Sequence, residues 1–540
     1  MNIIFLTQGS TLSVFYDVMT SLRKNVKFDN IGFYISDSAY YDKFKDKNPE
    51  IKSCDFEILK EWEIFKKAQT VKPDIYQLKR YEEQLGDPFL WNAIIADRRI
   101  FYGKYSTLEQ DYPSRYSHDQ MMSILQAGVE EMGAFFNRVK PDIVVGFICV
   151  TIGEYLAYLT AKSRNILFLN LRPTRIKNYF FGGESALEPS ARLEAEYERM
   201  LKEGISGEVR NEVFSVLDSV RKTHAMYEGV LPANKSLYQK TNKQNPILKK
   251  GLLTRITSNI GVLIREYFNY NFGEYRYDNQ YRGVFYPTWF LKVKRPLRIK
   301  LTEASLRPKY IKSSQLATME YAFYPLHKEP EVTLLVYSRP YINQIEVIRN
   351  FARSLPVGMK LVVKEHPVSV GYRPLSYYKK LLAIPNVLLI HPEMTSREII
   401  QKARLVFIIS GSVGLESIML KKPVIHIGRI PFSILPDSMI RHVKDLDRLP
   451  WEVHDLLENH KHDEESLIAY IAAVVKTSVP IDFYSELLGR KGVYRLESES
   501  EKGEIRSKHI DRLADYILNI FLNAHQHSKV ISKITTSTFN

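Results

Sequence analysis

The 540-residue chain has very little cysteine and no long hydrophobic run. Its two cysteines, Cys54 and Cys149, stand apart, with no second cysteine or histidine at metal-ligand spacing. This pattern is typical of a reducing compartment and argues against a disulfide framework or a zinc site. The start, MNIIFLTQGS, lacks a basic segment and a cleavage site, and the longest uncharged apolar run, Ile143 to Gly153, is about half a membrane span. We therefore expect a cytoplasmic protein.

Several motifs that would assign a chemistry directly are also absent. The sequence contains no P-loop, no G-x-G-x-x-G, no G-x-S-x-G and no H-E-x-x-H. One D-x-D occurs at Asp445 to Asp447, in a polar segment beyond the predicted sheet, and we interpret it as chance. The sequence thus predicts neither a metal ion nor a bound cofactor.

Positive charge is abundant but unevenly distributed. The net charge is +15, and residues 235–312 hold 17 Lys and Arg against four Asp and Glu, a net +13. Within this stretch, Pro246 to Tyr267 has Ile and Leu on one helical face. A basic amphipathic helix predicts peripheral contact of residues 246–268 with the inner membrane, although packing on a domain explains it equally. Interleaved Tyr and Arg in NYNFGEYRYDNQYR would suit nucleic acid, which we regard as the weakest interpretation.

Strand and helix patterns alternate in two separate regions. Apolar strand patterns occur at Asn2 to Leu6, Ile31 to Ile35, Pro141 to Phe147 and Ile166 to Asn170, and five or so more follow from Met319. This alternation predicts parallel sheets, hence an α/β, GT-B-like fold with two Rossmann-like domains facing a cleft. The predicted divisions are an N-terminal domain with helical insertions (1–230), a basic connecting segment (231–318), a C-terminal domain (319–450), C-terminal helices (451–524) and a flexible tail (525–540).

Three predicted strands of the second region end in unusual polar residues. These are PLHKEPE (Pro325 to Glu331), KEHP (Lys364 to Pro367) and SGSVGLE (Ser410 to Glu416). Ligands of open α/β sheets bind outside the carboxyl ends of strands. One such cluster is more often structural, but three at one edge predict a ligand site.

The third cluster suits a nucleotide. A buried strand ends at Ser410, and Gly411 and Ser412 then open a helix whose free N–H groups can bind phosphate. Glu416, one turn later, suits the paired hydroxyls of a ribose. Lys364 and His366 can add charge and a donor to the phosphate. The alternative is that Ser412 is an ordinary helix cap.

The run from Tyr321 to Pro431, read as YPLHKEPE, VKEHPVSVGYRP and SGSVGLESIMLKKPVIHIG, resembles the capsule and surface polysaccharide biosynthesis proteins, which are related to bacterial Kdo transferases. The resemblance implies a metal-independent GT-B glycosyltransferase. Its donor would be a nucleotide sugar. The first candidate is CMP-Kdo or a similar CMP-activated acid, and the second is a UDP-sugar. It implies that His366 and residues 410–412 hold the phosphate, and that Glu416 takes the ribose. His327 and Glu331 would lie near the sugar.

The N-terminal half supplies further candidates. Glu154 follows the strand IVVGF and would deprotonate an acceptor or act as nucleophile, unless it is only a helix-start acid favoured by the dipole. Arg172 and Arg175 would hold an acidic sugar or phosphate, although surface charge is the alternative. Gly9 after the first strand fits close approach to a ligand or a tight turn. A looser resemblance, in LWNAIIADRR, adds Asp97, Arg98 and Arg99.

Two other functions remain open at this point. One is a non-hydrolysing UDP-sugar 2-epimerase, which shares the phosphate loop and ribose-binding Glu but needs no acceptor. The other is a non-catalytic export or assembly factor. The expected partners of a transferase are a nucleotide-sugar donor and a glycan or lipid-linked glycan acceptor.

Overall fold

The computed structural model describes residues 1–52, 55–87, 89–101, 114–223, 227, 264, 267–268, 270–281, 289–490 and 502–537. Within them lie one seven-stranded and one six-stranded sheet. The strands are β1 (Asn2–Thr7), β2 (Asn30–Ile35), β3 (Phe56–Lys60), β4 (Ile143–Phe147), β5 (Leu167–Pro173), β6 (Tyr179–Gly183), β7 (Tyr321–Pro325), β8 (Lys360–Lys364), β9 (Val387–Ile390), β10 (Leu405–Ile408), β11 (Val424–His426), β12 (Ile440–His442) and β13 (Ser478–Pro480).

Helices cover both faces of the sheets. They are α1 (Thr11–Leu22), α2 (Ser38–Lys47), α3 (Glu61–Ala68), α4 (Ile75–Leu85), α5 (Trp91–Ala96), α6 (Arg98–Phe101), α7 (His118–Val139), α8 (Ile152–Ser163), α9 (Ala191–Glu203), α10 (Gly207–Thr223), α11 (Arg295–Leu306), α12 (Ser313–Leu316), α13 (Val332–Leu335), α14 (Gln344–Arg353), α15 (Leu375–Leu382), α16 (Ser396–Lys402), α17 (Ser412–Met419), α18 (Leu449–Asn459), α19 (Glu464–Thr477) and α20 (Lys502–Ser537). None of these described helices has the length and hydropathy that a bilayer crossing requires.

The two sheets are built in the same way. The N-terminal sheet has the order β13-β6-β5-β4-β1-β2-β3, in which β1 to β5 are parallel and β6 is antiparallel to both of its neighbours, β5 and β13. The C-terminal sheet, β12-β11-β10-β7-β8-β9, is parallel throughout. Central strands such as β10 are buried along their whole length, as parallel strands covered on both faces must be. The predicted α/β fold with two Rossmann-like domains is confirmed.

A shared apolar core joins the two domains on one side. Helices α9, α10 and α19 pack together, and their buried side chains, including Leu193, Val213 and Ala472, belong to one cluster with Val406 of β10 and Ile418 of α17. One face of the C-terminal sheet therefore packs against this group of helices. Within the group, α19 also contacts β6 and β13 at the edge of the N-terminal sheet.

The C-terminal residues are divided between both domains. Helix α18 packs in the C-terminal domain, whereas β13 pairs with β6 and α20 packs against α1 in the N-terminal domain. The sequence predicts one separate helical segment over residues 451–524. In the structure these residues are instead divided between the two domains. Helix α20 also continues to Ser537, through most of the expected tail. The amphipathic stretch 246–267 lies outside the described residues except for residues 264 and 267.

Candidate functional site

Each sheet has a point where the strand order reverses. In the C-terminal sheet β7 has β8 on one side and β10 on the other, and in the N-terminal sheet β1 has β2 and β4. Chains leave such neighbouring strands in opposite directions, which opens a crevice at their carboxyl ends where ligands bind. His327 follows β7 and Ser410 follows β10; Gly9 follows β1 and Glu154 follows β4. These four predicted residues therefore follow the strands that border the two crevices.

His327 joins the two strands that flank the C-terminal crevice. Its Nε2 atom accepts a hydrogen bond from the Ser410 backbone N–H at 3.2 Å and also contacts the Ser410 carbonyl. Burial lowers the pKa of the His327 ring to about 4, so the ring is neutral at physiological pH. A Cβ atom on Gly411 would lie 3.5 Å from this ring. His327 thus fixes the position of the loop that opens α17.

The loop after β10 has the backbone that a phosphate site requires. Gly411 has φ +135° and ψ 171°, a conformation that is essentially restricted to glycine, and it is followed directly by α17. Ser412 is the first residue of that helix, and no side chain caps it. The first N–H groups of α17 therefore point towards the crevice, where a phosphate would find donors and a favourable dipole.

Lys364 at the end of β8 and Glu416 within α17 are close enough to interact electrostatically. Lys364 ends β8 and is buried, and burial lowers the pKa of its amine to about 8 despite the nearby Glu365 and Glu416. Burial raises the pKa of the Glu416 carboxyl to about 6, against the attraction of Arg397 and Lys364. The pKa values of both groups thus lie within about one unit of neutral pH. A phosphate or a pair of hydroxyls that binds here would shift these pKa values.

A buried ion pair supports the loop that carries His366. The Nη1 atom of Arg373 lies 2.6 Å from both carboxylate oxygens of Glu365, and Tyr378 donates to Glu365 at 2.8 Å. Arg373 also donates to the His327 carbonyl at 2.5 Å. Within KEHP, Glu365 is therefore structural, and it connects the β8 loop to the β7 loop.

His366 itself faces the cleft. Its side chain is exposed to solvent, yet protein atoms surround it closely enough that desolvation lowers the pKa of the ring. Its Nδ1 atom accepts a hydrogen bond from the Val368 N–H at 3.2 Å, so Nε2 carries the proton when the ring is neutral. An accessible N–H group of this kind can donate a hydrogen bond to a phosphate.

Arg175 brings the N-terminal half to the same place. Its guanidinium lies over the Tyr227 ring at 5.2 Å, and the Tyr227 hydroxyl is 3.4 Å from the Ser412 hydroxyl. Glu331, at the start of α13, is close enough to interact with Arg175 electrostatically. Arg175, Glu331 and Ser412, three of the predicted residues, thus meet across the cleft.

Arg172, by contrast, is used within the N-terminal domain. Its Nε atom is 2.8 Å from Glu188, and both side chains are buried. It also donates to the Leu187 carbonyl at 3.4 Å. The structure therefore separates the two arginines that the sequence treated alike, since Arg172 neutralises a buried acid and Arg175 borders the cleft.

Glu154 forms a capping box at the start of α8. Its Oε2 atom accepts from the N–H groups of Val150 at 2.8 Å and Thr151 at 2.9 Å, and Thr151 caps the Glu154 N–H in return. The T-x-x-E pattern of TIGE is the sequence signal for this arrangement. Burial raises the pKa of the Glu154 carboxyl to about 7. Its Oε1 atom is buried and has no hydrogen-bond partner among the described residues.

A short segment of the stretch that the sequence offered only as a nucleic-acid candidate covers the N-terminal crevice. Asp278, Asn279 and Gln280 are buried, although they come from the basic aromatic stretch. Asp278 accepts from the Ser38 N–H at 2.8 Å, and Asn279 donates to Asp97 at 2.9 Å. Their burial removes these residues from any nucleic-acid surface. No local pattern predicts this, because a polar run folds inward only when distant partners receive it.

This segment closes a group of buried acids. Burial raises the pKa of Glu61 well above its usual range, helped by Asp97, Asp278 and Glu154 nearby. Burial likewise raises the pKa of Asp278 to about 6. Arg99, from the loosely resembling stretch, is buried here and contacts Gln280. In the described residues, no three His, Cys, Asp or Glu side chains are arranged to hold a metal ion.

Gly9 adopts φ +53° in the loop after β1. A Cβ atom there would lie 3.6 Å from Asp37, so the left-handed backbone, rather than space, favours glycine. Gln8 beside it donates to Gln280 at 3.4 Å, which places this loop under the same covering segment. A shallow surface depression bordered by Lys140, Pro141 and Arg164 lies at the opposite, amino edge of this sheet and contains no predicted site residue.

Comparison with known proteins matches one segment of the C-terminal domain to a protein family. Residues 337–436 match the family described as Capsule polysaccharide biosynthesis protein. Over these 100 residues the chain is similar to capsule polysaccharide biosynthesis proteins. The resemblance predicted from the sequence is thereby confirmed, and the matched residues include the His366 loop and the start of α17. No curated protein sequence matches this chain significantly.

Several solved structures are similar with low scores. The beta Kdo 2,4 transferase KpsC of Thermosulfurimonas dismutans is 13% identical to this chain, with a TM-score of 0.33. The alignment covers 65% of this chain and 88% of KpsC. UDP-GlcNAc 2-epimerase of Neisseria meningitidis, bound to UDP-GlcNAc, is 12% identical with coverage of 88% and 98% and a TM-score of 0.29. Anabaena Alr3699/HepE with UDP-glucose is 9% identical, with coverage of 88% and 93% and a TM-score of 0.23. At such scores we conclude nothing about the chemistry of this chain.

Proposed function

We propose that this protein is a GT-B-type glycosyltransferase that moves a sugar from a nucleotide-sugar donor to a capsule or other surface glycan. The observation that carries the proposal is the crevice between β7 and β10, where Gly411 and Ser412 expose a helix start, with His366 on the loop after the neighbouring strand β8; both loops lie within the matched family region. A CMP-activated acidic sugar is the first candidate donor, and a UDP-sugar is the second.

The donor site is assigned to the C-terminal domain. The N–H groups at the start of α17 and the Nε2–H of His366 bind the phosphate, and Lys364 adds positive charge. Glu416 accepts hydrogen bonds from the ribose hydroxyls. His327 is assigned a positioning role, because its ring contacts the backbone of Ser410.

The sugar lies where the two domains meet. Glu331 is the best placed of the three catalytic candidates, since it is partly exposed near Arg175 and at the mouth of the crevice. A carboxylate there can stabilise positive charge on the sugar or accept a proton. Glu154 lies beneath the covering segment and supports the acceptor side through α8. Neither role includes a metal ion.

The acceptor is assigned to the N-terminal side of the cleft, outside the segment that covers the N-terminal crevice. A glycan carried on a lipid at the inner membrane would bring the protein to the membrane surface, and residues 246–268 are one proposed contact. We accordingly place the protein in the cytoplasm, in part on the inner membrane.

A turnover assay tests the proposal. Purified protein is incubated with CMP-Kdo or a UDP-sugar, with and without a capsule oligosaccharide, in EDTA, and released nucleotide and extended glycan are both measured. The proposal predicts extended glycan only when both substrates are present, and Glu331→Gln should abolish it while donor binding persists. Conversion of the donor sugar without acceptor would instead identify an epimerase. Binding of glycan without nucleotide release would identify an assembly factor.

A further inference from the structure

An exposed apolar stripe runs along the helix that precedes the C-terminal domain. This helix comprises a π-helical turn, Phe290–Lys294, and α11, and we call it the 289–306 helix. Trp289, Val293, Leu297 and Leu301 are spaced by four residues and are between 37% and 56% exposed. Side chains at this spacing lie on one face of a helix. Leucine and tryptophan in a contiguous exposed stripe mark an interaction surface rather than scattered surface residues.

The opposite face of the helix already serves the fold. Phe290, Ile299 and Leu306 are buried on it. Arg295 donates to the carbonyls of Val368 at 3.0 Å and Val370 at 3.1 Å. The helix is therefore held against the protein by one face, and the apolar stripe on the other is not needed to keep it there.

Charge around the stripe is almost entirely positive. Residues 289–312 contain eight Lys and Arg, of which Arg295 and Arg298 bind backbone carbonyls of the protein, and a single acid, Glu303. That acid points to the protein side, since its carboxylate is 3.5 Å from His391. Lys300 beside the stripe and Arg307, Lys309 and Lys312 beyond it are exposed. A partner for this face must accept apolar side chains and carry negative charge.

We propose that the 289–306 helix docks on the surface of an anionic lipid bilayer. An interfacial helix of this kind lies in the membrane plane, with its apolar face among the acyl chains and its cations at the headgroups. Trp289 suits the headgroup level, and lysine stems can lie along the apolar surface while their amines stay in water. A second protein molecule would explain the leucines but not the one-sided charge.

The helix also touches the loop that carries His366. Arg298 donates to the Tyr372 carbonyl at 2.9 Å. Gly371, with φ +80°, packs so closely that an added Cβ would lie 2.5 Å from Ile299. A docked helix would thus hold the donor loop at a fixed place relative to the bilayer. That consequence rests on the proposed transferase function, whereas lipid binding itself does not.

Vesicle sedimentation of the full chain tests the proposal. Vesicles of phosphatidylglycerol and phosphatidylethanolamine are compared with pure phosphatidylcholine at low and high salt. The test variant is Leu297→Glu/Leu301→Glu, and its control is Leu201→Glu, a leucine of similar exposure on α9. A charge variant, Lys300→Glu/Arg307→Glu, is matched by Lys162→Glu/Lys202→Glu, which changes the net charge equally on exposed residues elsewhere. Melting curves verify that each variant folds.

The wild type should sediment with anionic vesicles only, and less at high salt. Both test variants should bind anionic vesicles at least roughly ten-fold more weakly than the wild type, because one removes apolar burial and the other removes cationic contacts. The control variants should bind as the wild type does. Absence of wild-type binding, or equal binding by the leucine variant, would overturn the proposal. So would a wild-type dimer that becomes a monomer in Leu297→Glu/Leu301→Glu, since a second copy would then cover the stripe. Nucleotide-induced shifts of the melting temperature are measured on the same variants. If these shifts persist while vesicle binding is lost, the lipid proposal is tested independently of the transferase proposal.

Discussion

The Nη1 atom of Arg373 lies 2.6 Å from both carboxylate oxygens of Glu365, and both side chains are buried. The pair closes the loop that carries His366. Removal of one partner from a buried ion pair leaves an uncompensated charge in the protein interior. Arg373→Met should therefore lower the free energy of unfolding by about 3–5 kcal/mol in urea titrations.

The control for this change is an exposed pair of the same kind. Arg404 and Glu320 are 2.8 Å apart with both side chains more than half exposed. Arg404→Met should cost less than about 1 kcal/mol, because water screens surface pairs. Equal losses in the two variants would contradict the structural role of Arg373.

Gly411 should be intolerant of a side chain. Its φ of +135° is strained for any other residue, so Gly411→Ala should destabilise the protein by about 1–3 kcal/mol and weaken nucleotide binding. Gly207, at the start of α10, has open space around it. Gly207→Ala should leave nucleotide binding unchanged and stability equal or slightly higher. Thermal melts with and without nucleotide check both, and tight nucleotide binding by Gly411→Ala would exclude this loop as the phosphate site.

Glu154 should make stability fall as pH rises. Its folded-state pKa of about 7 lies above the ordinary 4.5, so the folded protein holds this proton more tightly than the unfolded chain. The stability from the neutral carboxyl is present below pH 4.5 and is lost as pH rises to about 7. Relative to Glu154→Gln, the wild type should thus lose about 3 kcal/mol over this range.

Urea titrations from pH 4.5 to 8 measure this difference. Glu208, an exposed acid in the first turn of α10, provides the comparison, and Glu208→Gln should track the wild type at every pH. A constant difference between wild type and Glu154→Gln would show that this carboxyl is ionised in the folded protein throughout.

Arg172 and Arg175 should fail in different assays. Arg172→Gln leaves Glu188 buried without its cation and should lower the free energy of unfolding by about 3–5 kcal/mol. Arg175→Gln should change stability by less than about 1 kcal/mol, the value of its contact with Tyr227. Calorimetry should show binding of a CMP-activated acidic sugar by Arg175→Gln to be about ten-fold weaker, with CMP itself unaffected. Equal weakening of both ligands would place Arg175 at the nucleotide instead of the sugar.

The strand ends could be predicted from sequence because their signals are local. The run LVVK is buried and Glu365, His366 and Pro367 interrupt it, just as VFIIS is interrupted by Gly411. Burial along a strand and the glycine that follows it depend on neighbouring residues only. The edge of the sheet and the helix start at Ser412 follow from these patterns.

Other parts of the site depend on partners far along the chain. Asp278 reaches Ser38 across 240 residues, and Tyr227 reaches Ser412 across 185. Strand β13, only three residues long and ending in Pro480, returns to the N-terminal sheet from beyond the C-terminal domain. The spacing of residues in the sequence does not predict such contacts, because they depend on how distant parts of the chain pack together.

The local sequence also could not distinguish Arg172 from Arg175. Both follow the same strand pattern, and their surroundings differ only through Glu188, which turns back onto β5, and Tyr227, which comes from the end of the N-terminal domain. Their roles depend on tertiary neighbours rather than on residue type.

Nucleotide binding at the β7–β10 crevice tests the central claim most directly. Melting temperatures are measured with CMP, CDP, UDP, GDP and AMP for the wild type, His366→Ala and His454→Ala, the last removing an exposed histidine on α18. We predict that one nucleotide raises the melting temperature of the wild type and of His454→Ala but not of His366→Ala. A response to none of them, or an equal response in His366→Ala, would contradict the donor site.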